Sequence, residues 1–504
     1  MKKLLTGLLI CFAFIICFVQ NSYSDTCEIT SVGFTPINDL GAGYFRGFQG
    51  GLYPGGSNTR PLIHNNDGKV IANNIVPLDT AGNFDPVNGK IVLLSIGMSN
   101  TGLEFIDFMS LVSASSIVNP KLVVVNGAQG GKDIDAILNP LDSFWIIVEQ
   151  RLAFKGVTVK QVQAVWYKEA EAGPTDTSFV TYSVGLKNKF KTVMNKMKTN
   201  YINLKLCYSN SRIYAGYATS MTNPEPFAYY NGWTVKWMIE DQINGDTTLK
   251  YNGPTPNSPW LSWGAYVWAD GTTPRLDGLT WNCPADFNPS DGTHPSAIGS
   301  MKVATRLFNF FSTDETTKPW FLKNLTVHLT IGIQGIFNTN TTLSNIIDTV
   351  SLTLRRSVPP FNIFSTTRAA IDSVSLKGIY KFYDLPSTSY YFQIQHRNSI
   401  ETWSKSGGEN LSTGLNYNYD FTAATSQAYG NNLVLKGNRY CVYSGDIVRN
   451  GLVDLNDILT AYNDASNFTS GYAVSDVTGD RLVDLSDIVL VYNNSAAFVS
   501  KITP

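Results

Sequence analysis

The stretch Lys90-Ile91-Val92-Leu93-Leu94-Ser95-Ile96-Gly97-Met98-Ser99-Asn100 decides how the first half of the chain folds. Its apolar run is short, rich in residues that favour strands, and closed by glycine, the pattern of a strand buried on both faces. Working outward, similar runs follow at 121–126, 161–167 and 204–208, and amphipathic segments lie at 103–113, 182–199, 227–242 and 296–311. Strands alternating with helices predict a parallel α/β sheet. Ser99 then stands just past the carboxyl end of a strand, at the edge where open α/β sheets bind ligands. The preceding segment, 25–89, is rich in Gly, Asn and Pro and reads as an extension wrapped on this unit.

The pattern changes at residue 318. Leu325-Thr326-Val327-His328-Leu329-Thr330 and Ser351-Leu352-Thr353-Leu354 alternate with period two between Asn, Ser and Gly clusters, which predicts an antiparallel β-sandwich over 318–437. At the other end, Lys2 and Lys3 precede an apolar stretch and small residues at Ser22 and Ser24, as in a secretory signal peptide over 1–24. A retained anchor is the alternative, but the stretch is shorter than the about 18 residues that span a bilayer. Nothing later is long and apolar enough to span, so the mature chain is expected to be secreted or cell-surface associated. The units are therefore 1–24, 25–317, 318–437 and 438–504.

Without Lys2 and Lys3, the 38 basic and 39 acidic residues become 36 and 39, a net charge of −3 that makes no case for nucleic acid or another polyanion. Only 15% of residues are charged while 12% are aromatic, which suits a neutral carbohydrate surface. Trp166, Tyr167, Trp260, Trp263 and Trp268 are candidates to line a sugar cleft, with core packing as the alternative. Cys27, Cys207, Cys283 and Cys441 are too widely spaced for a metal knuckle and allow one or two disulfides.

Four histidines are present, His64, His294, His328 and His396, and the last two fall in the β-sandwich segment as packing or surface residues. Only His294, in Asp291-Gly292-Thr293-His294-Pro295-Ser296, has a carboxylate three residues before it. Ser99, His294 and Asp291 are a nucleophile, a base and an acid to orient the base, as acyl transfer requires. The same residues also read as a turn and helix caps, Asp291-Gly292 turning the chain and Thr293 or Ser296 capping the helix after Pro295.

With the serine block first and Asp-x-x-His last, the chain resembles the SGNH hydrolases over about 90–311, and within them the sialate O-acetylesterase and carbohydrate acetylesterase branches. The resemblance implies a flavodoxin-like three-layer fold, hydrolysis of a carbohydrate ester through an acyl-serine, and Ser99, Asp291 and His294 as catalytic residues. It also implies oxyanion donors at the Ser99 amide and at Gly131, or alternatively Gly130, in Asn126-Gly127-Ala128-Gln129-Gly130-Gly131-Lys132. Where the acetylesterase branches carry a glutamine donor, this chain reads Trp166-Tyr167-Lys168-Glu169-Ala170-Glu171, so Lys168 takes the amide's place, with Glu169 or Glu171 as rivals for its ammonium.

Residues 446–457 and 476–487 repeat, each copy leading into a helix. Leu455, Ile458, Leu459 and Tyr462 share one face of the first helix, and Leu485, Ile488, Val489 and Tyr492 repeat it. Asp446, Asn450, Asp454 and Asp457, and Asp476, Thr478, Asp480, Asp484 and Asp487, fall at oxygen-donor positions of an EF-type calcium loop, with the Leu452 and Leu482 carbonyls at position 7. Val448 replaces a donor in the first loop, and Arg481 replaces the position-6 glycine in the second. Helix capping by Asp454 and Asp484, with Asp457 and Asp487 three residues on, is the metal-free alternative. The duplication resembles dockerin type I modules, which implies Ca2+ and a cohesin-like partner. The whole reads as an esterase; the alternative is a non-catalytic carbohydrate-binding or cell-surface assembly protein on the same scaffold.

Overall fold

The structure is a computed structural model that describes residues 27–504, so the predicted signal peptide over 1–24 lies outside the described residues. A five-stranded, all-parallel sheet is built from β1 (Ile91–Gly97), β2 (Leu122–Asn126), β3 (Val162–Lys168), β4 (Leu206–Ser209) and β5 (Trp260–Trp263), in the order 2-1-3-4-5. Every residue of β1 and β3 is buried, which accounts for their unbroken apolar character. The main helices are α1 (Ser99–Ala114), α2 (Phe179–Asn200), α3 (Phe227–Ile243) and α4 (Ala297–Thr313). The order reverses direction between β1 and β3, so right-handed crossovers put α1 on the face opposite α2 and α3. The packing agrees: α1 lies against α4, and α2 against α3.

The fifth strand was not foreseen, and the aromatics proposed for a sugar cleft belong to the core. Trp166, Tyr167, Trp260, Trp263 and Trp268 are all buried. Their polar tips explain why burial is tolerated in three cases: Trp260 Nε1 donates to the His64 carbonyl, Trp263 Nε1 to the Leu52 carbonyl and Trp268 Nε1 to Glu225. His64 is buried too, stacked on Trp260 and bonded to the Leu261 carbonyl. The N-terminal segment lies along this core and is tied to it by the Cys27–Cys283 disulfide, while Cys207 and Cys441 are buried and free. Trp320, Phe321 and Leu322 continue the same core past residue 317.

The β-sandwich has one sheet of β7 (Asp348–Arg356), β8 (Ile363–Ile371) and β10 (Thr388–Gln395) with two short strands, in the order β8-β7-β10, and a second of β6 (Asn324–Thr330), β9 (Lys377–Tyr383) and β11 (Asn416–Asp420), in the order β9-β6-β11. The pairing is antiparallel except between β6 and β11, which run parallel, a departure from the all-antiparallel expectation. Leu325, Val327 and Leu329 meet Leu352 and Leu354 in its core, as the period-two alternation requires. Then α5 (Leu455–Ser466) and α6 (Leu485–Ala496) pack on one another over Ile447, Val453, Ala461, Val477 and Val491. Leu455, Leu459 and Tyr462, like Leu485, Val489 and Tyr492, are exposed; only Ile458 and Ile488 of the shared face turn toward the core. Among the described residues no helix is long and apolar enough to cross a membrane.

Candidate active site

The strand β1 passes into α1 with almost no linker: Gly97 ends one and Ser99 opens the other. Glycine is required at 97 because a Cβ there would stand 2.1 Å from the Lys168 carbonyl oxygen. Ser99 is thus the first helical residue at the point where the sheet order reverses. Its own amide, one of the unpaired N–H groups of a helix start, donates to no protein atom among the described residues.

The other half of the site arrives just before α4. His294 Nε2 lies 2.8 Å from Ser99 Oγ, and His294 Nδ1 lies 2.8 Å from Asp291 Oδ2. Asp291 Oδ1 accepts the backbone amides of Thr293 and His294 at 2.8 and 2.9 Å. Burial acts to raise this carboxyl's pKa, but the two amides and the ring prevail and hold it below the ordinary aspartate value. The loop conformation depends on Gly292, where φ is +60° and a Cβ would strike the Tyr217 carbonyl oxygen at 1.9 Å. Asn100 locks the two halves together, its Nδ2 donating to the Thr293 carbonyl at 2.9 Å. The capping alternative holds at the same time, because Ser296 Oγ accepts the Gly299 amide and caps α4.

The loop after β2 is pinned by the Gln129 amide, which donates to the Gly97 carbonyl at 2.9 Å. Gly130 and Gly131 follow. A Cβ on Gly130 would lie 3.9 Å from the Ser99 Cβ, whereas one on Gly131, at φ +70°, would meet nothing within 4 Å. Both segments leave backbone free to approach a ligand at the serine.

Lys168 takes a different position from the one expected of a third donor. Its Nζ is held by both carboxylate oxygens of Glu104 at 2.5 and 2.6 Å, and both side chains are fully buried. Neither Glu169 nor Glu171 pairs with it; Glu171 binds Lys189. Burial pushes the Lys168 ammonium down to about 8 against the attraction of Glu104, and pushes the Glu104 carboxyl up. The ammonium is therefore spent on a buried ion pair between α1 and β3. The sequence held a signal for this partner. The buried positions of α1 are Asn100, Thr101, Glu104, Phe105 and Phe108, and a carboxylate within such a stripe needs an internal cation.

In the C-terminal repeat, the position-1 and position-12 carboxylates of each loop, Asp446 with Asp457 and Asp476 with Asp487, are all buried. Asp446 accepts the Asn450 and Gly451 amides, and Asp457 those of Val448 and Asp454. Asp476 accepts the Gly479 and Arg481 amides, and Asp487 accepts the Val477 and Thr478 amides together with Thr478 Oγ1. Asp454 and Asp484 cap α5 and α6 in complete capping boxes. Asn450 and Asp480 are exposed, and Leu452 and Leu482 sit in short bridges to Ser500 and Ser470. Arg481 adopts φ +73°, the conformation the missing glycine would take, at a cost of about 1 to 2 kcal/mol.

Burial, and then the nearby Asp457 charge, push the Asp446 carboxyl up to about 6. Paired buried carboxylates with hard oxygen donors fit a divalent cation in chemistry, although among the described residues no three His, Cys, Asp or Glu side chains converge on one point. The second loop also leans on the β-sandwich. Asn398 Nδ2 donates to the Asp476 carbonyl, and the Arg397 guanidinium lies 3.8 Å from the Asp476 carboxylate.

No protein-family model and no curated protein matches the chain. Among solved structures it is similar to a candidate acylhydrolase from Bacteroides fragilis, with 12% identity over 50% of this chain and 96% of that one and a TM-score of 0.25. It is similar to a protein from Arabidopsis thaliana, with 13% identity over 41% and 67% and a TM-score of 0.22. A type II cohesin-X-dockerin complex from Acetivibrio cellulolyticus matches with 14% identity over 34% of this chain and 95% of that one, at a TM-score of 0.23. Likenesses this slight leave the reading of the site to its own geometry.

Proposed function

We propose that the chain is a secreted serine esterase on a flavodoxin-like three-layer scaffold, removing acetyl or similar acyl groups from a polysaccharide or glycan. The observation that carries this reading is the unbroken hydrogen-bonded line from Ser99 through His294 to Asp291. In it, His294 Nε2 takes the Ser99 proton as Oγ attacks the ester carbonyl, and Asp291 fixes the ring with Nδ1–H toward the carboxylate. The Ser99 amide and a glycine amide of the Gly130-Gly131 turn stabilise the oxyanion, each such donor contributing about 3 kcal/mol to barrier lowering. Collapse returns the proton to the leaving sugar hydroxyl, leaving an acyl-serine that water, activated by the same imidazole, then hydrolyses. Lys168 takes no part as donor in this scheme; it positions α1 through Glu104. The Cys27–Cys283 disulfide supports export to an oxidising compartment.

The C-terminal pair of loops is proposed to hold Ca2+ structurally. Asp446, Asn450, Asp454, Asp457 and the Leu452 carbonyl form one donor set, and Asp476, Thr478, Asp480, Asp484, Asp487 and the Leu482 carbonyl form the other. The exposed faces of α5 and α6 are proposed to meet a cohesin-like partner. For the esterase, hydrolysis of p-nitrophenyl acetate by the wild type and by Ser99→Ala is the test, and equal rates overturn it. For the metal, chelation with EDTA is expected to lower the melting temperature, and an unchanged transition counts against bound calcium.

A further inference from the structure

A cleft of about 820 Å3 lies where the α/β unit meets the β-sandwich, in the size range of ligand sites. Its place in the fold separates it from the serine. Lys318, on one wall, opens a short helix whose Phe321 carbonyl accepts the Asn119 amide at 2.9 Å and whose neighbour Leu322 bridges Val118, just ahead of β2. The cleft therefore sits toward the strand starts, while Ser99 and His294 sit past the strand ends, roughly 20 Å away along the sheet.

The charge of the lining is one-sided. Glu315 is the only acidic residue of the lining among the described residues, and it is paired with Lys69 at 3.2 Å. Lys318 on that wall, and Arg368 and Lys381 on the sandwich wall, make no ion pair and no side-chain hydrogen bond among the described residues. Lys381 is half-buried, and burial pulls its ammonium below the ordinary lysine value with no carboxylate to offset it. Three unanswered cations lining one hollow suit an anionic ligand. The chain's net charge does not oppose this, because beyond a Debye length of about 10 Å the remaining charges are screened. Ser365 and Thr367 add hydroxyls to the same lining. The two rings offer no stacking platform of the kind single-stranded nucleic acid uses: Phe382 is buried in the sandwich core and Tyr383 packs against the α/β core.

We propose that this cleft binds a short stretch of anionic polysaccharide through the carboxylates of its uronic-acid units, held by Lys318, Arg368 and Lys381. Arg368 has the planar fork that matches a carboxylate, and the lysines act as point charges. The proposal's choice of a polysaccharide rests on the substrate class proposed for the esterase, while the binding itself rests on no catalytic step. In its terms the cleft anchors a polymer at one end of the sheet while the other end stays free.

The test is isothermal titration of the full chain with a galacturonic-acid oligomer and with the neutral galactose oligomer of the same length. The acidic oligomer is expected to bind, with affinity falling between about 50 and about 500 mM salt, while the neutral one does not. Arg368→Gln combined with Lys381→Gln should weaken binding about tenfold or more, and Arg368→Lys with Lys381→Arg should restore most of it. Lys318→Gln, on the opposite wall, gives the same reading should the double variant not fold. Ser99→Ala should bind as the wild type does, so loss of esterase activity and loss of this site are told apart. Equal binding of the neutral oligomer, wild-type affinity in both glutamine variants, or complete displacement by a DNA oligonucleotide would each overturn the proposal.

Discussion

The serine site and the C-terminal acidic loops are assembled by opposite routes. Ser99 and His294 are 195 residues apart and meet only because β1 and the loop before α4 end at the same edge of one sheet. In the loops, Asp446 and Asp476 bind amides within their own segments, and Asp454 with Asp457, and Asp484 with Asp487, cap the helix that follows. The contrast shows where each arrangement is vulnerable. A long-range contact is lost when the scaffold shifts, while a local one is lost only when its own residues change.

The largest expected effect breaks the long-range side. Ser99→Ala should lower ester hydrolysis by about 10^4-fold or more while leaving the melting temperature within a degree or so; initial rates with p-nitrophenyl acetate, set beside a thermal scan, measure both. Asp291→Asn keeps the shape but removes the charge that holds the imidazole, and a loss of about 10^3- to 10^4-fold in kcat is expected. A variant that retained full rate would show that the Asp291 contact is only a turn.

The comparison sharpens at the buried pair. Lys168→Met leaves Glu104 uncompensated and should cost about 3 to 5 kcal/mol in urea unfolding, whereas Lys168→Met with Glu104→Leu should recover most of that. Equal costs for the single and double variants would mean that Lys168 matters for something other than Glu104. On the local side, EDTA should lower the melting temperature of the C-terminal transition by about 5 °C or more if the loops hold metal. The smallest effect is expected from Asp484→Ala measured in EDTA, where only one capping box is lost and the cost should be about 1 kcal/mol. Without chelator the cost should be larger, because Asp484 also belongs to the proposed calcium donor set, and the difference separates capping from metal binding.

Much of this was legible beforehand where the signal is local. β1 to β4 and α1 to α4 lie within a few residues of the runs that announced them, because strand and helix periodicities are written into neighbouring side chains. β5 was missed because Trp260-Leu261-Ser262-Trp263 is short and aromatic, a composition that serves a cleft as well as a core. The apolar positions of α5 and α6 were visible, but which of them would face solvent was not. That depends on Ile447, Val453 and Val477, apolar residues of the loops that take the interior beside the helices.

By itself the sequence determined the alternation of strand and helix, and it placed Asp291 three residues before His294 and an aspartate at the start of α5 and of α6, each with two readings open. These depend on spacing along a few residues, which backbone geometry converts directly into contacts. Only the tertiary structure decided that Ser99 would lie within hydrogen-bond distance of His294, that Lys168 would turn to Glu104 rather than to its own acidic neighbours, and that the tryptophans would fill the core. Partners chosen across a sheet depend on strand order and on which groups burial leaves in need of a counter-charge, and neither is written in any short stretch of chain.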